Sequence, residues 1–249
     1  MSKYRNINFL SSLSEKELKG KRILLRLDLN VPVRDGKIID DFRIKKILPT
    51  IQFLKKAGAK LIIAYHFDKQ NITPHQIEPH SVWLNLVWCN LKDGEDEILP
   101  NLRSDPGEEA NDLEFAKKLA AKADIFVNEA FSASHREHAS IVTLPKLLPS
   151  YAGLLFEEEI KNLSRAFEPE HPFLFILGGA KLETKAPLLS KFLNIADHIF
   201  VGGSLCIKFF EKDNSVKEML GNEKILLPDK LILDGRMVMD IDPKSFEKI

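Results

Sequence analysis

Near-continuous apolar runs alternate along this chain with segments of helical period, and that alternation constrains the fold more than any other feature. "KRILLRLDLNVPV" reads as a strand covered on both faces, as strands buried in a parallel sheet are. "DDFRIKKILPTIQFLKKAGAK" then places Ile44, Ile47, Leu48, Ile51 and Leu54 on one helical face. Asp40 or Asp41 can cap this helix, Pro49 should kink it and Gly58 should stop it. "KLIIAYH" is the next strand, so strand, helix and strand form a βαβ unit with a right-handed crossover. Ahead of it, "SSLSEKELKGK" predicts a short helix, with Ser14 and Glu17 at capping-box spacing and Gly20 at its end. Asp35-Gly36 predicts a turn.

The pattern resumes after an irregular stretch. "PGEEANDLEFAKKLAAKA" predicts a helix and "DIFVNEAF" a strand, while "TLPKLLPSYAGLLFEEEIKNLSRAFEP" predicts helical segments broken by Pro149 and Gly153. "HPFLFILGG", "KLETKAPLLSKFLNIA" and "DHIFVGGS" then read as strand, helix and strand. The expected class is α/β with parallel sheets. The acidic, Pro-flanked segment 157–171 reads as a helix connecting two domains, 1–156 and 172–249.

Composition removes several function classes. Formal net charge is zero, which gives no support to a nucleic-acid or membrane partner. The first residues have no apolar signal core, and no run approaches the ~18 apolar residues of a membrane span. Cys89 and Cys206 are far apart and read as free thiols in a reducing compartment, so a cytoplasmic location is expected.

In open parallel sheets ligands bind beyond the carboxyl ends of the strands, and the residues expected there are polar. Asp28 and Asn30 end the first strand, His66 the second, and Asn128 and Glu129 the third, followed by Ser132, His135 and Arg136. Arg43 lies in the first turn of its helix, where a cation opposes the helix dipole, and Arg103 sits in a loop. Singly, each has an ordinary reading as a turn, cap or solvated residue, and the pair His135/His138 lacks the further ligands of a zinc site. Together, three arginines and two histidines at one sheet edge suit a small, doubly anionic ligand, because the guanidinium fork matches carboxylate and phosphate oxygens.

A second cationic stretch is "LFILGGAKLETKA". Gly178 and Gly179 let backbone N–H groups approach a ligand, and Lys181 and Lys185 are expected on one face of the following helix. That suits phosphate transfer, although no Walker A loop is present.

These motifs resemble those of phosphoglycerate kinases. "KRILLRLDLNVPVRDGKIIDDFRI" is similar to that family's first strand, "R-x-D-x-N-V-P" element and arginine-bearing helix. "PGEEANDLEFAKKLAAKADIFVNEAFSASHREHAS", "FILGGAKLETK", "FVGGS" and "GRMVMDIDPKSFEKI" resemble further family motifs in the family's order. The resemblance implies two Rossmann-like parallel-sheet domains joined by a helix, the second incomplete. It also implies phosphoryl transfer between 1,3-bisphosphoglycerate and ADP in glycolysis. On the matching positions, Asp28, Asn30, Arg43, His66, Lys69, Arg103, His135 and Arg136 would hold the phosphorylated acid. Gly178, Gly179, Lys181, Lys185, Gly202 and Gly203 would face ATP or ADP, with magnesium carried by the nucleotide. Arg43 and Lys181 would be the catalytic residues, Lys181 steadying the transferred group.

The likeness has departures. Lys69 stands for a family arginine beside Asp68, Ser132 for a glycine and Thr184 for an aspartate, and residues 70–100 are unlike the family. Ile249 falls partway through the family's C-terminal domain. The expectation is therefore a truncated, weak or inactive kinase. The alternative is a non-catalytic binder of phosphoglycerate-type anions. An open sheet edge in the second domain would then favour self-association or a complementing fragment.

Overall fold

The computed structural model describes residues 7–34, 37–66, 91, 95–179, 181, 185–234 and 237–241. The expected Asp35-Gly36 turn, Asp68, Lys69, Cys89, Thr184, the segment 242–249 and nearly all of 70–94 lie outside them. The chain divides into two compact units, Met1–Asn162 and Leu163–Ile249.

The first unit opens with helix α1 (Glu15–Leu18), where the Ser14 N–H donates to the Glu17 carboxylate at 2.9 Å, as the capping-box spacing requires. Strand β1 (Arg22–Asp28) follows, shorter than the run that predicted it. A small hairpin, β2 (Val33–Arg34) with β3 (Lys37–Ile38), leads into helix α2 (Phe42–Lys56). The α2 N-terminus is held by Asp40, whose carboxylate accepts the Phe42 N–H at 2.8 Å, and the helix continues through Pro49 as one element. Strand β4 is Lys60–His66 and β5 is Glu97–Ile98.

The single helix expected over 106–123 is two. α3 (Pro106–Glu109) ends where Asn111 adopts φ 53°, and Asp112 then caps α4 (Leu113–Ala120) by accepting the Phe115 N–H at 2.7 Å. Asparagine tolerates the left-handed region and aspartate is a strong cap, so the break was encoded in "ND". Strand β6 is Ile125–Asn128. Part of the segment expected to be helical forms strand β7 (Ser150–Ala152), and helix α5 (Leu154–Arg165) follows. α5 begins before the expected connecting segment 157–171 and ends inside it, and the division between units falls within this helix.

The sheet has five parallel strands in the order β5-β4-β1-β6-β7. Because side chains alternate across a strand, each central strand serves two cores. Ile23, Leu25 and Leu27 of β1 pack with Ile44, Ile47, Ile51 and Leu54 of α2 on one face. Leu24, Ile62, Ala64 and Phe126 pack with Phe115, Ala116 and Leu119 of α4 on the other. Each fully buried Leu, Ile or Phe contributes about 1.5–3 kcal/mol, so this double covering fixes strand register. On the α4 face the apolar run gives way to polar groups at the carboxyl end: after Leu24 come Arg26 and Asp28, and after Ala64 comes His66. Register pairs Arg26 with both Ala64 and Asn128, and Asp28 with His66.

The second unit has three parallel strands in the order β10-β9-β8: β8 (Leu174–Leu177), β9 (His198–Val201) and β10 (Ile225–Leu226). Helices α6 (Ala186–Leu193) and α7 (Leu205–Phe210) and the antiparallel pair β11 (Leu231–Asp234) and β12 (Met237–Ile241) complete it. Its core gathers Leu177, Leu189, Phe192, Ile199, Val201, Leu205 and Phe209. β8 and β10 are the sheet edges among the described residues. No helix among the described residues is long and apolar enough to cross a membrane.

Glu129 ties β6 to α5. Its buried carboxylate accepts the N–H groups of Leu155 at 3.0 Å and Phe156 at 3.3 Å, and the Thr50 hydroxyl also donates to it. Gly153 leaves room for that carboxylate: a Cβ there would lie 1.8 Å from Glu129 Oε2. Gly153→Ala should therefore displace the cap and lower stability by about 1–3 kcal/mol. The check is a lower urea midpoint with unchanged slope.

Candidate functional site

Parallel strands β1 and β4 and the 3-10 turns at Leu102–Ser104 and Phe131–Ala133 bring their polar ends together. They enclose a cleft of about 200 Å³ lined by Arg26, Asp28, Asn30, Arg43, His66, Arg103, Ser132, Ala133 and Arg136. Of the predicted acid-site residues, Asp28, Asn30, Arg43, His66, Arg103 and Arg136 meet here. His135 is exposed and does not line the cleft, and Lys69 lies outside the described residues.

Four arginines against one lining aspartate make the cleft an anion site by charge alone. Asp28 organises its mouth. Its carboxylate accepts from Arg43 Nη1 at 2.9 Å, from the Ser132 hydroxyl and from the Asn30 N–H at 3.1 Å. Arg43 Nη1 also donates to the Asn30 carbonyl at 3.1 Å, so the guanidinium is drawn back over the strand ends. Arg103 lies 3.3 Å from Glu109. A larger hollow of about 390 Å³ shares Asp28, Arg43 and Ser132, but Phe42, Phe131 and Leu155 line it and Glu158 faces Lys46, so its charges do not converge on an anion.

One residue of the cleft wall, Arg26, and two behind it, Glu108 and Ser140, were missed in the sequence. Arg26 is 1% exposed on the α4 face of β1. Its Nη1 donates to the Leu27 carbonyl and its Nε to the Ser140 hydroxyl at 3.3 Å, while Nη2 has no hydrogen-bond partner among the described residues. Burial pulls this guanidinium down to about 10, still charged at neutral pH. Behind it lies Glu108, wholly buried, accepting from His66 Nε2 at 2.7 Å, from the Ser140 hydroxyl at 2.5 Å and from the Ser140 N–H at 3.0 Å. Strand parity was the available signal for Arg26: a lone arginine in "ILLRLDL" shares a face with Asp28. Glu108 and Ser140 had no such signal.

His138, read as lacking partners for a metal, has them nearby. The ligating atoms of His66, Glu108 and His138 lie within 4.8 Å of one another. Glu108 nevertheless bonds Ser140 and His66 with both oxygens, and the Arg26 guanidinium lies beside it, so the donor set suits a hydrogen-bonded network better than a dication.

Burial pushes the His66 imidazole below its usual range, and the nearby Arg26 charge adds to this despite the opposing hydrogen bond to Glu108. Burial alone would raise Glu108, but the hydrogen bonds from His66 and Ser140 outweigh it and leave the carboxyl below its usual range. In both cases the unfolded chain binds more protons, so stability is lost on acidification. The loss should begin as pH falls below 6.5, where the unfolded imidazole charges, and steepen below 4.5, where the unfolded carboxyl protonates. His66→Gln should flatten the upper window in urea midpoints measured from pH 7 to 5. An undiminished slope would remove His66 as its source.

In the second unit two glycine turns approach backbone to backbone. Gly179 has φ 127° and Gly203 φ 61°, and a Cβ on Gly203 would lie 3.3 Å from the Gly179 nitrogen. Gly202 donates its N–H to the Leu177 carbonyl at 2.9 Å, which joins the turns after β8 and β9. Gly178 is open on its Cβ side. The expected lysine face is not present as such: α6 begins at Ala186, Lys185 is its N-cap residue, and Lys181 stands in the preceding loop. Pro187 suits this start, since proline fits the first turn of a helix, where its missing N–H needs no partner. Lys185 does reach the glycines, its Cε lying 3.5 Å from where a Gly179 Cβ would be.

Comparison with known proteins gives one family. The profile described as phosphoglycerate kinase matches residues 13–87 and 79–234. A phosphoglycerate kinase from Fervidobacterium nodosum is 36% identical, the match covering 96% of this chain and 64% of that protein. One from Nostoc punctiforme is 42% identical over 81% of this chain and 56% of that protein. This chain thus spans less than two thirds of the length of either relative. Phosphoglycerate kinase structures from Coxiella burnetii and Pyrococcus horikoshii OT3 superpose with TM-scores of 0.76 and 0.75. Each is 26% identical and the match covers 97% of this chain, with 76% and 77% of the respective structures.

Proposed function

Because the chain belongs to the phosphoglycerate kinase family, we propose that it acts as a phosphotransferase on 1,3-bisphosphoglycerate and ADP, giving 3-phosphoglycerate and ATP. The observation that carries this reading is the cleft in which Arg26, Arg43, Arg103 and Arg136 converge with His66 at the carboxyl ends of β1 and β4. Its size and charge suit a small phosphorylated acid. The arginines neutralise its phosphate and carboxylate, and Asp28, held by Arg43 and Ser132, is placed to accept from a ligand hydroxyl.

The nucleotide phosphates would lie against Gly178, Gly179, Gly202 and Gly203, with Lys181 and Lys185 as their cationic partners. The close approach of Gly179 and Gly203 fits this, since both turns exclude side chains and keep backbone accessible. Magnesium would be carried by the nucleotide's own phosphates. When bound it neutralises charge between them. In the transfer, the bond between the acyl oxygen and phosphorus breaks as a β-phosphate oxygen of ADP bonds to phosphorus, and the acyl oxygen leaves as carboxylate. The chain's contribution would be positioning and charge: Arg43 towards the acid and Lys181 towards the transferred group. A buried free Cys206 is compatible with a cytoplasmic location.

A second reading has its own support. The cleft is built wholly from residues between Arg26 and Arg136, which supports binding of the acid without transfer as the function. Edge strand β8, with Ile176 65% exposed, would be the place for pairing with another copy or a complementing segment.

Calorimetric titration with 3-phosphoglycerate and with Mg-ADP, alongside a coupled kinase assay, separates these readings. Binding of both with turnover supports the kinase, and binding of the acid alone supports the anion-binding module. Binding of neither defeats both. Arg136→Ala should weaken acid binding about tenfold or more, the scale of one charge-assisted contact of ~1.5–3 kcal/mol. Because Arg136 is exposed, the melting temperature should change little.

A further inference from the structure

Glu108 lies behind the cleft and outside its lining, yet it determines what His66 can offer a ligand. An ionised carboxylate has no proton to give, so the hydrogen in the 2.7 Å contact belongs to His66 Nε2. The same carboxylate is locked by the Ser140 N–H and hydroxyl, and that hydroxyl accepts from Arg26 Nε. With Nε2 turned to the buried side, Nδ1 is the ring nitrogen left for a ligand, and in the neutral ring it carries a lone pair.

Phosphate oxygens also carry only lone pairs. An anion therefore meets repulsion at Nδ1 unless that nitrogen is protonated. The charged and titratable groups around His66 are Glu108 on α3, Arg26 and Asp28 on β1, His138 on the facing loop, and Arg43, Arg103 and Arg136 at the cleft. Without a ligand, burial and the Arg26 charge keep the ring neutral. A dianion screens the arginines and places negative charge on the open side of an imidazole whose other nitrogen already faces a carboxylate.

We propose that Glu108 is a positioning residue that holds His66 with Nε2–H turned inward, so that a doubly charged phosphate binds together with a proton taken from solvent onto His66 Nδ1. The ligand rests on the function proposed above; the orientation of the ring does not.

The test uses the full chain and 3-phosphoglycerate, titrated near pH 7.5 in buffers of different ionisation enthalpy. The phosphate is then already dianionic, its second pKa being about 6, and contributes little proton exchange of its own. Uptake approaching one proton is expected, with affinity falling about tenfold towards pH 8.5. In Glu108→Gln, turning the amide so that its oxygen accepts the Ser140 N–H presents NH2 to His66 and to the Ser140 hydroxyl, so the ring moves its hydrogen to Nδ1 and the hydroxyl turns to accept from that NH2. That variant should bind without proton uptake and with little pH dependence over the same range.

Nitrogen-15 spectra of the ligand-free protein should show the Nε2–H form in the parent chain and the Nδ1–H form in Glu108→Gln, a change that a purely structural role would not produce. If Glu108→Gln does not fold, His66→Gln replaces it and must abolish the uptake. Binding without proton uptake in the parent chain, uptake that survives either variant, or an Nδ1–H ring in the parent chain would overturn the proposal. A parent chain that binds no 3-phosphoglycerate would defeat the proposed function instead, and the ring form alone would then decide the role of Glu108.

Discussion

A guanidinium buried inside a parallel sheet is the constraint from which the rest of the cleft follows. Arg26 sits on β1 with Leu24 on one side and Asp28 on the other, and is 1% exposed. Leaving such a charge uncompensated costs about 3–5 kcal/mol, which is large against the stability of an ordinary domain. Glu108 offsets it through Ser140, and the same carboxylate takes up His66. Four segments distant in sequence are thereby tied at one point, and the cationic groups facing the ligand inherit their placement from that buried knot.

The cleft and the core are two ends of one pattern. On the α4 face of β1 and β4, apolar side chains fill the middle of the sheet and polar ones its carboxyl end. The α2 face stays apolar along β1 to Leu27 and along β4 to Tyr65. The sheet therefore presents its functional groups on the side where the turns after β5 and β6 close over them.

Much of this was legible in the sequence because it depends on period. The runs over β1, β4, β6, β8 and β9 gave the α/β class, and Asp28, Asn30, Arg43, His66, Arg103 and Arg136 were read together as neighbours that the folded chain does bring to one cleft. What escaped notice depends on tertiary partners. β7 follows Pro149 in a segment whose spacing suits a helix, and it becomes a strand by pairing with β6. Glu108 sits in a polar helix start that reads as solvated, and only the fold places it beneath His66. Lys181 and Lys185 have the spacing of a helical face, but the helix starts only at Ala186, with Lys185 as its N-cap residue.

The alternation along β1 also governs what kinds of genetic change this strand can survive. Replacing one apolar side chain by another disturbs packing locally. Deleting a single codon between Arg22 and Arg26 would invert every later side chain of the strand, sending the guanidinium and the Asp28 carboxylate against α2 and leaving leucines to floor the anion cleft. Within this stretch the reading length, more than any individual letter, is what selection must guard.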